Sequence, residues 1–363
     1  MTAGVLVQSA GTGAASNLIR SLQTASGVRV VGSHADRFVL KKSPAERNYL
    51  TPPATDAAFG PALLAIAARE QIDLIIPGND EDVRALSDLR VELGGLVFLP
   101  AAVVVELCQD KCRLSARLRE QGVPAPLTYP VADLDQVDEI FQRFPGRTRL
   151  WCRLRTGSGS RGAVPVARPA QAKAWIDYWR EMRGVAVAEF SLCDYLPGRD
   201  FAAQALWRDG EPALIKVCER LSYFGGGSQP SGISSTPALA RLVAEPGVVD
   251  VCHRAIRALD RTASGVFSID LKEDARGQPC ITEINAGRFC MITSFFDQTG
   301  HHNMAASYVR LARGEWTAIA DPYEAGEDHY LVRDLDTLPG IYHADELFEG
   351  IETVDAVPRD STT

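Results

Sequence analysis

The sequence predicts an α/β layer followed by an α+β core. Short apolar runs alternate with longer amphipathic ones from Gly4 to about Pro100, strand-like runs dominate from Val185, and 46% hydrophobic composition over 363 residues suffices for two or three units that each bury a core. Strands alternating with helices argue for a parallel sheet covered on both faces, a Rossmann-like layer.

The elements follow in order. "GVLVQSA" reads as a buried strand, "SNLIRSLQ" as a helix, "VRVVGSH" as a strand, "PALLAIAARE" as a helix, "DLIIPG" as a strand, "DEDVRALSDL" as a helix and "LVFLP" as a strand. A boundary falls near "LPAAVVVELCQDK". Asp110 then caps a helix with Leu114 and Leu118 on one face, and Gly122, Pro124 and Pro126 stop it. "VADLDQVDEIFQRF" reads as a helix, "RLWCRLR" and "AVPVAR" as strands flanking a glycine loop, and "PAQAKAWIDYWREM" as a helix whose Trp175 and Trp179 pack at i and i+4. "VAVAEFSL", "RDFAAQALW" and "PALIKVCERL" read as strands. A loop "FGGGSQPSGISSTP", a helix around "VVDVCHRAIRAL" and a strand pair "GVFSIDL" and "CITEIN" complete the core. Fraying is expected at the terminal "DAVPRDSTT".

A formal net charge of −8 gives no positive field to gather nucleic acid or an acidic membrane surface. Eight scattered cysteines, none spaced C-x-x-C, point to a reducing compartment and no zinc site. "MTAGVLVQSAGTGAASNL" has no basic n-region and its apolar run is short, so no secretory signal or membrane span is expected, and the expectation is a cytoplasmic enzyme.

Several stretches have chemical potential. "GTGAAS" lies between a strand and a helix but has Ser16 where a dinucleotide fingerprint has its third glycine, so a tight turn is favoured over a ligand role. "NDEDV" places acids at a helix start, which the dipole alone explains. "RTGSGSRG" lacks the Walker lysine and runs into an extended segment. It reads as a hairpin loop able to fold over phosphates, or as a surface hairpin, with Arg153 and Arg155 at its entrance and Arg161 within it. "GHHN" reads as a cap for the following helix. On "CITEIN", Glu283 and Asn285 share one face of a strand. If the turn "KEDARGQP" holds an even number of residues, Asp270 joins them. Two carboxylates held together against an apolar layer repel and lose hydration, which a divalent cation relieves, and hard oxygen ligands suit Mg²⁺ shared with phosphates.

The signals "DK" before "GVPAP", the glycine hairpin, "CDYLPGRDF" and "EIN" occur in one order along the chain. In that order they resemble the ATP-grasp superfamily over roughly residues 1 to 315, and within it the carbamoyl phosphate synthetase large subunit and the amino-acid or peptide carboxylate–amine ligases. The resemblance implies an ATP-grasp fold: an N-terminal Rossmann-like domain over 1–110, a small lid subdomain over 111–185, a larger α+β core with the metal site over 186–317, and a C-terminal extension over 318–363. It implies ATP between lid and core, with Lys111 at the mouth, Arg153 on the phosphates, and Ser158, Gly159 and Ser160 in the covering loop. Asp194, Tyr195 and Leu196 match the hinge at the adenine, and Asp200 the acid that takes the ribose hydroxyls, each acid an aspartate where the family more often has glutamate. Asp270, Glu283 and Asn285 match the ligands of Mg²⁺, for which Mn²⁺ can substitute. "NAGRF" is one residue longer than the usual Asn-Pro-Arg, and Arg288 is the counterpart arginine. Arg220 is a candidate for holding the substrate carboxylate or the transferred phosphate, against a surface ion pair.

The implied activity is an ATP- and Mg²⁺-dependent ligase joining a small carboxylate to an amine through an acyl phosphate, releasing ADP and phosphate. The expected partners are small-molecule carboxylate and amine substrates, with no nucleic acid and no membrane, and a homodimer is left open. Activation of bicarbonate or a carbamate is the alternative within the class. Outside it stand an NAD(P)-dependent oxidoreductase using "GTGAAS", disfavoured by the absent third glycine, and a non-catalytic nucleotide-binding regulator, disfavoured by the intact acid set.

Overall fold

The computed structural model describes residues 2–157, 159–316, 318–335 and 340–346. β1 (Ala3–Val7), β2 (Val28–His34), β3 (Arg47–Leu50) and β4 (Leu74–Ile76) pair in parallel in the order β3-β2-β1-β4, joined through α1 (Gly13–Gln23), α2 (Arg37–Leu40) and α3 (Phe59–Glu70). All five residues of β1 are buried. Val5 and Val7 pack with Leu18 and Leu22 of α1, while Leu6 packs with Leu63 and Ile66 of α3, so both faces are covered and the strand reads as a continuous apolar run. β3 is an exposed edge strand with no apolar run, and periodicity did not reveal it.

α4 (Asp80–Asp88) and α5 (Arg90–Leu93) follow. The expected strand "LVFLP" is not one. Its apolar residues are there for burial, Leu99 in the core under α3 and Phe98 against Tyr308. Its carbonyls are taken by side chains instead of a ladder: the Tyr308 hydroxyl donates to Phe98 O, and Arg90 donates to Leu99 O at 3.2 Å and to Pro100 O.

α6 (Ala102–Gln109) and α7 (Lys111–Glu120) lead to the second sheet. Asp110 caps α7 by accepting from Cys112 N at 2.9 Å and Arg113 N at 3.1 Å, and Leu114 and Leu118 are buried. Gly122, at φ 70°, ends the helix in the left-handed region. β5 (Thr128–Pro130), β6 (Leu150–Leu154), β7 (Val164–Val166) and β8 (Phe190–Asp194) form an antiparallel sheet in the order β5-β8-β6-β7. α8 (Val137–Gln142) and α9 (Pro169–Arg183) cover it, with Ile140 and Ile176 in its core and the Trp175 and Trp179 rings 6.1 Å apart. "VAVAEFSL" is strand only from Phe190, a 3₁₀ turn taking Val187–Glu189.

The third sheet contains β9 (Asp200–Arg208), β10 (Glu211–Tyr223), β11 (Pro237–Leu242), β12 (Gly265–Glu273), β13 (Pro279–Ala286), β14 (His329–Val332) and β15 (Gly340–His343). Its order is β13-β12-β9-β10-β11-β14-β15, antiparallel throughout. The period of β9 divides its faces: Phe201, Ala203, Ala205 and Trp207 meet α10 (Pro246–Leu259), while Ala202 and Leu206 meet the core shared with α1, α11 (Thr293–Gln298) and α12 (Met304–Ala312). That shared core joins the first sheet to the third. Asn303, not a histidine, caps α12 through Ala306 N at 2.8 Å, and the backbone N–H groups of His301 and His302 donate to Glu324. β14 and β15 come from the stretch after Ala318, where the sequence reading placed no strand; "DAVPRDSTT" lies outside the described residues. Among the described residues no helix is long and apolar enough to cross a membrane.

Tyr308→Phe leaves the half-buried Phe98 carbonyl without its donor and is expected to cost about 1 kcal/mol. Urea denaturation followed by circular dichroism measures it.

Candidate active site

A cleft of about 410 Å³ is walled by the second and third sheets and by the turns that follow β1 and β4. Lys111, Arg153, Gly159, Ser160, Asp194, Tyr195, Leu196, Asp200, Arg220, Asp270, Glu283, Asn285 and Arg288 all line it. Ser158 lies outside the described residues.

The register of β12 and β13 depends on a bulge. Glu273 pairs with Pro279, so the connecting turn is residues 274–278, five in number and therefore odd. That parity alone would set Thr282 opposite Asp270 and send Glu283 to the other face. The register shifts by one between Asp270 and Leu271, and Thr282 becomes the extra residue. Asp270 then faces Glu283, and Ser268 faces Asn285. The Thr282 hydroxyl donates to Asp270 O at 3.0 Å, and its carbonyl accepts from Arg153 Nη1 at 3.1 Å. One inserted residue thus aligns the acids and anchors an arginine of the second sheet.

Three cations hold the acidic set. Arg220 Nη1 donates to Asp270 Oδ1 at 2.8 Å and its Nε to Asp200 Oδ1 at 2.7 Å. Arg220 is therefore a buried bridge, not a surface ion pair, and it is held well above its ordinary pKa by Asp200 and Asp270 against the opposing effect of burial. Lys111 Nζ lies 3.6 Å from Glu283 Oε1 and donates to Gly157 O at 2.6 Å, tying the glycine hairpin between β6 and β7 to β13. Arg288 Nη2 donates to Asn285 Oδ1 at 2.6 Å, and its Nε to Asp80 Oδ1 at 2.5 Å. Burial raises the Asp270 pKa, with Glu283 and Asp200 adding to the effect and Arg220 opposing it. Among the described residues no cluster of three or more His, Cys, Asp or Glu could hold a metal. Two facing carboxylates and a carboxamide fit a hard cation that completes its shell with phosphate oxygens and water.

Asp194 and Asp200, expected at the nucleotide, both have partners within the chain. Both oxygens of Asp194 are engaged, Oδ2 by Leu127 N at 2.8 Å and Oδ1 by Arg147 Nε at 2.8 Å, so this carboxylate holds the β5–β8 junction. Tyr195 and Leu196 continue that wall, with the Tyr195 ring 6.2 Å from Trp151. Asp200, expected at ribose hydroxyls, accepts from Arg220, from Tyr223 Oη at 2.6 Å and from Lys272 Nζ at 3.5 Å.

Sequence reasoning missed Asp80. It begins α4 behind Asn79, whose side chain caps the helix through Asp82 N at 2.8 Å, and nothing in "NDEDV" signals an arginine 208 residues away. "GTGAAS" also reaches the cleft, through Thr12, Gly13 and Ala14. The turn needs its first glycine for backbone reasons: Gly11 has φ 90°, and a Cβ there would meet Val39 O at 1.9 Å.

Arg220→Met removes the buried cation between Asp200 and Asp270 and is expected to destabilise the fold by about 3–5 kcal/mol at neutral pH. Asp270 has a folded pKa above its unfolded value, so its protonated form favours folding at low pH and that contribution fades as pH rises through the folded pKa. Without Arg220 that pKa rises further, and the deficit relative to the parent should narrow on acidification. Urea midpoints at neutral and mildly acid pH measure both effects.

No protein-family model and no curated protein matches the chain. Solved structures do. The L-amino acid ligase of Bacillus licheniformis superposes with TM-score 0.67 at 13% identity, over 91% of this chain and 79% of that one. The biotin carboxylase of Campylobacter jejuni, in a β,γ-ATP complex, gives TM-score 0.68 at 13% identity over 91% and 75%. Carboxyaminoimidazole ribonucleotide synthase of Aspergillus clavatus, complexed with ATP, gives 0.67 at 13% identity over 91% and 81%. The three sheets, the cleft between them and these superpositions give one architecture, and the chain has the ATP-grasp fold.

Proposed function

We propose that the protein is an ATP- and Mg²⁺-dependent carboxylate–amine ligase that works through an acyl phosphate. The observation that carries this reading is the facing of Asp270 and Glu283 across β12 and β13 in a cleft with Arg153, Arg220, Arg288 and Lys111 on its wall. In this reading β5–β8 form a lid and β9–β13 the core, with the hinge after Asp194.

A carboxylate does not react with amines because its leaving group would be oxide. A substrate carboxylate oxygen attacks the γ-phosphorus of ATP, the bond from that phosphorus to the β–γ bridging oxygen breaks, and ADP departs with the electron pair. The amine nitrogen then attacks the acyl carbon, the carbon–phosphate oxygen bond breaks, phosphate leaves and the nitrogen loses a proton. The first step needs alignment and charge neutralisation more than covalent help. Held by Asp270, Glu283 and Asn285, Mg²⁺ would supply that neutralisation. Arg153, fixed by the bulge carbonyl, would contact the nucleotide phosphates. Lys111 would couple closure of the glycine hairpin to the metal strand, keeping water from the acyl phosphate. Arg288, placed by Asp80, would steady the transferred phosphoryl group. Activation of bicarbonate is the second reading, favoured by the equal likeness to a biotin carboxylase.

An ADP-release screen over amino acids, other small carboxylates and bicarbonate, against amines and ammonia, tests the function. Glu283→Gln should lower turnover by about 100-fold or more while the urea midpoint stays near that of the parent. Unchanged turnover in this variant would remove the metal-site assignment.

A further inference from the structure

α4 opens on three acids in a row, and the fold gives each a different place. Asp82 is buried, accepting from Ser9 Oγ at 2.6 Å and from Gly78 N at 3.1 Å. Glu81 is exposed to solvent. Asp80 lines the cleft, with its side chain 31% exposed. The helix start does not explain that placement, because Asn79 already caps α4 through Asp82 N, and among the described residues no backbone N–H donates to the Asp80 carboxylate.

Asp80 is held firmly but only half used. Asn79 Nδ2 donates to Ser9 Oγ at 2.7 Å, so a buried cage with Asp82 fixes the turn, and Gln109 Nε2 donates to the Asp80 carbonyl at 3.1 Å. Asp80 Oδ1 accepts from Arg288 Nε, and Arg288 Nη2 is taken by Asn285. Among the described residues no hydrogen bond reaches Asp80 Oδ2 and none leaves Arg288 Nη1. Each member of this cleft-lining pair therefore keeps one open position, an acceptor on Asp80 beside a donor on Arg288.

Arg288 stands between Asn285, where the phosphates are placed, and Asp80. A substrate carboxylate that takes the γ-phosphoryl group must lie where that group is steadied, against Arg288. A positive group one carbon from that carboxylate then falls beside Asp80, whose free oxygen suits a charged N–H donor.

We infer that Asp80 receives the ammonium of the substrate whose carboxylate is activated, and that this substrate is an α-amino acid. The inference rests on the ligase reading for the role of Arg288. Asp80 is a specificity-determining residue here: Oδ2 meets the ammonium while Oδ1 keeps Arg288 in place. That ammonium stays protonated, and the attacking amine belongs to the second substrate.

Calorimetric titrations into the full chain with saturating Mg²⁺ and ADP test it, comparing L-alanine, L-leucine, L-glutamate and L-histidine with their des-amino counterparts propionate, isocaproate, glutarate and imidazolepropionate. At least one amino acid should bind the parent about tenfold or more tighter than its counterpart. Asp80→Asn, whose side-chain oxygen can still accept from Arg288, should erase that gap by weakening the amino acid alone. With hydroxylamine as the amine, KM for the amino acid in hydroxamate formation should rise about tenfold or more in this variant while KM for ATP holds. The inference is overturned if no amino acid outbinds its counterpart, if Asp80→Asn keeps the gap, or if it weakens both ligands alike, which would leave Asp80 only the task of placing Arg288. If no carboxylate releases ADP, the ligase reading falls, and the titrations still decide the ammonium site.

Discussion

Two carboxylates face each other across neighbouring strands in a buried cleft, and much of the surrounding architecture serves to make that tolerable. Asp270 and Glu283 are direct cross-strand partners, where like charges repel, and the cleft leaves their side chains only 30% and 20% exposed to screening water. Each is met by a cation from a different part of the chain, Arg220 from β10 and Lys111 from the start of α7. Arg288 engages the third oxygen donor, Asn285, and is itself held by Asp80. The site is therefore a charge-balanced network in which each oxygen donor has a cationic partner.

This network also ties the three sheets together. Asp80 lies just beyond the first sheet, Arg153 and the Lys111-bound hairpin belong to the second, and the acids belong to the third. The bulge at Thr282 is the joint that makes this work, since it sets which face Glu283 presents and supplies the carbonyl that Arg153 holds. Gly157 and Gly159 of the hairpin between β6 and β7 lie at positive φ, and Lys111 holds that loop through the Gly157 carbonyl. Buried ion pairs of this kind add little net stability against an apolar alternative, so their presence in the cleft points to a requirement other than folding.

Much of this was legible in the sequence because it depends on period and order. Alternating apolar runs gave the first sheet, and the two-residue period placed Glu283 beside Asn285. Parity was not legible: "KEDARGQP" forms a five-residue turn, and only the bulge restores the alignment with Asp270. "LVFLP" misled because burial and strand pairing leave the same apolar signature; β3 and β15 were missed because edge strands lack one, and β14 because only Leu331 of its four residues is buried. Asp194 and Asp200 lie where their motif puts them, but the acceptors of a carboxylate depend on neighbours far along the chain, Arg147 and Leu127 for one, Arg220, Tyr223 and Lys272 for the other. Asp80 belongs to the same class, since no local pattern reports a partner 208 positions away.

In the proposed reaction the facing acids accept a divalent cation together with a nucleotide. Calorimetric titration of ADP into the protein, with Mg²⁺ and then with excess chelator, tests it most directly. Mg²⁺ should tighten ADP binding by about tenfold or more, and Asp270→Asn should abolish the difference. Equal affinity with and without the metal would contradict it.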